Sequence, residues 1–212
     1  MPMQNGTLSA ITLRRLLQVQ VFTIAWMSVE AVVSLAAAWM AGSPTLLAFG
    51  GDSAIELISA AVVLWRFRAH EMPEARERWV SRIAGALLFV LVAFVVANST
   101  LSLFGHREPR PSYAGIAVLI VAAIAMPLLA YEKRKLSAQT GSAALRADAA
   151  ESEFCGYLSL IALVGLAVNA VWHVEWADPV AALAITPLIL REGWEAIHEK
   201  PGTCVDDEST EK

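Results

Sequence analysis

The amino-acid sequence predicts an all-α membrane protein of six transmembrane helices, with both termini cytoplasmic and no folded C-terminal cytoplasmic domain. Three observations carry this expectation. Hydrophobic residues make up 57% of the 212 and charged residues only 17%, a balance well outside that of a soluble domain. The apolar residues gather into six runs, each long enough for a bilayer core of about 30 Å, which takes roughly 20 helical residues to cross. Lys and Arg collect on alternate sides of those runs.

Taken in order, the runs cover residues 16–41, 45–65, 80–104, 113–131, 143–172 and 179–197. The first follows the polar start "MPMQNGTLSAITLRR" and is too long for a signal-peptide core. It also lacks a small-residue cleavage site, so it reads as a retained span. The second is the least obvious because it contains two acids. The fifth is long enough for its first turns to project from the membrane or for the helix to tilt. In "WADPVAAL", Asp178 and Pro179 read as the N-cap and first-turn proline of the sixth.

Orientation follows from the cations. Arg14 and Arg15 precede the first run, Arg66, Arg68, Arg76, Arg78 and Arg82 lie between the second and third, and Lys133, Arg134 and Lys135 follow the fourth. Arg191 and Lys200 close the sixth, whereas the opposite side has only Arg107 and Arg110, so both ends are expected in the cytoplasm. Trp39, Trp65, Trp79, Trp172, Trp176 and Trp194 fall near run ends, where amphipathic rings favour the interface. The expected organisation is a cytoplasmic N-terminal segment over 1–15, a six-helix transmembrane domain over 16–198, and a short disordered cytoplasmic tail over 199–212. Two cysteines, Cys155 in an apolar run and Cys204 in the tail, make no disulfide framework. The net charge of −4 gives no reason to expect a nucleic-acid partner.

Acids inside the apolar runs need a reason, since a charge at mid-bilayer costs roughly 2.5–3.5 kcal/mol on insertion scales. In "FGGDSAIELISA", Asp52 and Glu56 stand at i and i+4, so their carboxylates share one helix face about a turn apart. Like charges that close repel in a low dielectric, and a cation between them relieves the repulsion. The fifth run opens on "LRADAAESEFCGYLS", where Asp148, Glu151, Ser152 and Cys155 fall on one face while Arg146 and Glu153 point elsewhere. Carboxylates from two helices, with a serine and a thiol near, make a divalent-cation site. Cys155 alone also reads as a small packing residue, and Glu151 as a partner for Arg146 or a loop lysine. Glu30 in "WMSVEAVVSL" reads either as a proton route and partner of that site or as a helix-to-helix hydrogen bond. Asn98 and Asn169 read as helix-packing residues. His70, His106, His173 and His198 form no metal pattern.

The order of "VEAVVSLAAAWMAGSPTLLAFGGDSAIELISA", "LRADAAES" and "WADPVAALAITPLILREGWEA" resembles the cation diffusion facilitator family of divalent-metal transporters, over about residues 30–194. The resemblance implies six helices with both ends cytoplasmic, a homodimer in the lipid bilayer, and a site between the second and fifth helices. That site takes zinc or a similar ion in exchange for protons. The family's second-helix pair falls on Asp52 and Glu56, with Glu in place of the more usual second Asp, and its fifth-helix Asp falls on Asp148. The histidine one turn earlier falls on Ala144, which has no ligating atom. Glu151 or Cys155 then stands as the replacement ligand. A site made mainly of oxygens moves the expected ion from zinc towards manganese, iron(II) or cobalt, with cadmium among the similar ions. No counterpart of the family's C-terminal cytoplasmic domain is expected here, as in shorter relatives resembling the transmembrane protein 163 branch.

The expected function is efflux of a divalent metal by proton antiport, in a multi-pass protein of a bacterial inner (plasma) membrane. The metal is a transported substrate and no prosthetic group is expected. A second class is a metal-binding membrane scaffold or regulator that does not transport. An intramembrane enzyme is not expected, since no Ser/His pair or His-rich metal motif is visible.

Overall fold

A computed structural model describes residues 10–68, 74–105, 109–140 and 143–198. Within them the chain forms six helices and no strand: α1 (Ala10–Ala41), α2 (Pro44–Arg68), α3 (Glu74–Leu103), α4 (Tyr113–Thr140), α5 (Ala143–Trp172) and α6 (Ala177–His198). The tail 199–212 with Cys204, His70, His106 and Arg107 lie outside the described residues. So do the side chains of Trp65, Arg66, Arg68, Arg76, Arg78, Trp79 and Ala144.

Each apolar run lies inside a helix or overshoots its end by a single residue, and α1, α3 and α4 continue well past their runs. α1, α4 and α5, with the Arg82–Leu103 part of α3, are long and apolar enough to cross a membrane. α6 differs in that any 18-residue stretch of it holds at least three charged residues, among them Arg191 and Glu192.

The helix ends have local causes. Gly42 takes a left-handed φ of 64° just past α1, and Ser43 N donates to Ala38 O across the turn at 3.2 Å. Ser43 then opens α2: its Oγ accepts the Leu46 N–H at 3.1 Å, with Pro44 at the first helical position. Ser112 opens α4 the same way, its Oγ accepting from Gly115 N at 3.1 Å.

Asp178 lies one residue inside α6 and does not cap its own helix. It crosses to α2, where its Oδ1 accepts the Thr45 N–H at 3.0 Å while Thr45 Oγ1 donates to the Asp178 carbonyl at 2.6 Å. The reason is geometric: the carbonyl of Trp176 already opens α6 by accepting from Val180 N at 3.1 Å, which leaves the buried Asp178 side chain to satisfy an orphan donor next door. Asn169 likewise crosses, donating to Pro109 O at 3.1 Å, whereas Asn98 bonds its own helix through Phe94 O at 2.9 Å.

α2 is the hub, packing against α1, α3, α5 and α6. Helices sharing an apolar solvent associate by close packing, for which small residues are suited. At Gly50 a Cβ would stand 2.8 Å from Ser34 Cβ, so α1 and α2 touch at backbone distance just before Asp52. At Gly85 a Cβ would meet Gly193 O at 2.7 Å, which seats α6 equally close on α3. Leu46, Phe49, Leu119, Met126, Leu158 and Ile185 fill the interior. Phe22, Val32, Phe94, Ile124 and Leu128 face outward, as a lipid-facing surface requires. Trp39, Trp172, Trp176 and Trp194 are exposed near helix ends.

Lys133 differs from the expectation. It is not a loop cation: α4 runs on to Thr140 and turns Lys133 inward, where it is 0% exposed. Counting cations after an apolar run treats all of them as solvated, but a helix that continues carries one in three or four of its residues onto the packed face.

Candidate metal site

Asp52 and Glu56 sit on the face of α2 turned into the bundle, at 0% and 4% exposure. None of their four carboxylate oxygens has a hydrogen-bond partner among the described residues. Such groups are costly, and a native bundle keeps them buried when something else completes them. Glu192 of α6 comes to the same place. One oxygen from each of Asp52, Glu56 and Glu192 lies within 4.8 Å of the others, and Glu192 Oε2 is also buried without a partner. Oxygens around one cation, at about 2.1–2.6 Å from it, stand at most about 4–5 Å apart, so this spacing suits a single ion.

Two further acids surround the cluster. Glu151 of α5 is half-buried and within electrostatic reach of Asp52 and Glu56. Glu30 of α1, fully buried, accepts from Ser53 Oγ at 2.7 Å and from the Cys155 thiol at 3.4 Å, both on its Oε1. Glu30 thus joins α1, α2 and α5 by hydrogen bonds one residue from Asp52, and its Oε2 has no partner.

Asp148 is handled differently. Lys133 Nζ lies 3.0 Å from its Oδ2, an ion pair out of line for a hydrogen bond, and donates to Ser152 Oγ at 2.7 Å. Both charges of that pair are buried. Of the fifth-helix residues the sequence singles out, Asp148 and Ser152 therefore meet Lys133, Cys155 meets Glu30, and Glu151 faces the acids of α2. Arg146 is exposed, and Glu153 pairs with Arg134 at the surface.

Glu192 and the burial of Lys133 escaped the sequence reading. A signal for Glu192 existed: Ala182, Ile185 and Ile189 form the inward stripe of α6, and Glu192 follows at i+3 from Ile189, with Gly193 buried beside it.

A bundle of apolar helices around buried carboxylates that could hold a cation defines the class as a membrane protein. Residues 21–200 match the model of the cation efflux transmembrane domain, and the chain belongs to that family of integral membrane proteins. It is 24% identical over 193 residues to the manganese efflux system protein MneS of Bacillus subtilis (strain 168), covering 87% of this chain and 66% of that one. It is 26% identical over 183 residues to the uncharacterized transporter sll1263 of Synechocystis sp. (strain ATCC 27184 / PCC 6803 / Kazusa), covering 82% of this chain and 59% of that one. The matches thus span roughly 60–66% of the length of these relatives.

Proposed function

We propose that this chain carries a divalent metal cation across a bacterial inner membrane by proton antiport, with Asp52 and Glu56 binding the ion. The observation that carries the reading is that both carboxylates are buried in the hub helix with every oxygen unpartnered. Membership of the cation efflux family supports transport rather than enzymatic turnover. Carboxylate donors bind only deprotonated, so metal entry releases protons and proton return releases metal.

The donor chemistry favours a hard ion. Oxygen ligands without an imidazole suit manganese and, next, iron(II) or cobalt better than zinc or cadmium. The name of the Bacillus relative supports the same direction. The proposed assembly is a homodimer in which all six helices cross and both ends are cytoplasmic. Arg15 at the start of α1 reaches Glu132 near the end of α4 at 2.7 Å, consistent with these two ends sharing one face of the membrane.

Flux in vesicles reconstituted with the purified chain tests the proposal. Manganese uptake is expected to follow an imposed pH gradient and to vanish in Asp52→Ala. Flux that ignores the gradient or survives that substitution defeats the proposal, and binding without flux points instead to a metal-responsive regulator.

A further inference from the structure

Resting on the reading above, and naming the residues that complete its ion site, we infer that the third carboxylate ligand is Glu192 of α6, and that Lys133 holds Asp148 out of the ligand set. The two halves of this inference have separate observations behind them.

Glu192 is brought to Asp52 and Glu56 by the packing of α6. Gly193, its neighbour, lies so close to α3 that a Cβ at Gly85 would meet Gly193 O at 2.7 Å, which seats α6 against the bundle at this level. The three carboxylates then converge within 4.8 Å. Among the described residues, all four oxygens of the deeply buried Asp52 and Glu56 are unpartnered, as is Oε2 of Glu192, and one oxygen of each of the three residues lies at that convergence. Three like charges so close in a low dielectric repel strongly, and a divalent ion at their centre turns the repulsion into attraction.

Asp148 has no such vacancy in its charge balance. The Lys133 ammonium, itself fully buried, is 3.0 Å from Asp148 and bonded to Ser152. Recruiting Asp148 to a metal would leave that ammonium without a counter-charge in the bundle interior, which is the costliest way to break a buried pair. Lys133 of α4 therefore acts as a built-in cation for Asp148 of α5, and the external cation goes to the acids of α2 and α6.

Binding of manganese(II) to the full chain in nanodiscs, read by loss of the free-ion electron paramagnetic resonance signal, tests the assignment. Glu192→Gln is expected to weaken binding at least about tenfold, a loss of the size seen when metal-site partners are removed. The double substitution Lys133→Met with Asp148→Asn removes both charges together and is expected to stay within about threefold. If the Gln variant does not fold, Glu192→Asp keeps the charge on a shorter arm and is expected to weaken binding measurably. Unchanged affinity in the Glu192 variants, or a tenfold loss in the double variant, overturns the inference while leaving transport standing. A wild-type chain that binds no manganese at all overturns both.

Discussion

Asp52 and Asp148 are the same side chain at nearly the same depth of burial, and the bundle treats them in opposite ways. Asp148 is matched by Lys133, whose ammonium also donates to Ser152 Oγ. Asp52 lies beside Glu56 with no hydrogen-bond partner for either carboxylate. A buried charge that serves the fold is neutralised within the fold, and one that serves a mobile ligand is left for that ligand to complete. On the proposed ion site, the difference would separate an acid held by the fold from acids left for the ion, without reference to which helix they occupy.

The comparison is most easily broken at its matched member. Lys133→Met leaves Asp148 buried without its cation and is expected to cost about 3–5 kcal/mol, seen as a large fall in the thermal unfolding midpoint in detergent; adding Asp148→Asn should recover most of it. Asp178 is an intermediate case, a buried acid held through its Oδ1 by a hydrogen bond rather than by a cation. Asp178→Ala frees the first turn of α2 and is expected to cost about 1–2 kcal/mol in the same measurement. Asp52→Asn should do least to the fold. Removing one of two repelling charges is expected to leave the midpoint unchanged or raise it, by under about 1 kcal/mol, while abolishing the manganese-induced stabilisation expected of the wild-type chain. A marked fall in Asp52→Asn would place Asp52 with Asp148 among the structural acids.

Much of this was legible in the sequence, and the rest was hidden for identifiable reasons. The runs beginning at residues 45, 113, 143 and 179 lie within two residues of the starts of α2, α4, α5 and α6, and Pro44, Ser112 and Pro179 stand at three of those starts. The pairing of Asp52 with Glu56 on one inward face follows from helical periodicity alone. Periodicity could also have reached Glu192, but Arg191, Trp194 and Glu195 around it read as a solvated end. Arg191 and Glu195 do pair at the surface, at 2.7 Å, and between them Glu192 turns inward. Lys133 was hidden by its company: Arg134 and Lys135 are exposed, and only the register of α4 against α5 sets the first of the three apart. Asp178 was assigned the right kind of task on the wrong helix, since which backbone donor a carboxylate meets depends on a neighbour far away in the sequence.

The pair of bonds between Thr45 and Asp178 fastens α2 to α6 near one end, and Glu192 lies fourteen positions further along α6, about 21 Å at 1.5 Å per residue. The arrangement is a lever with its fulcrum at the fastened end. A tilt of α6 by roughly 10° about that point would carry the Glu192 carboxylate nearly 4 Å from those of α2, farther than any metal–oxygen bond reaches. The spacing of the three carboxylates is thereby tied to the angle that α6 makes about that end.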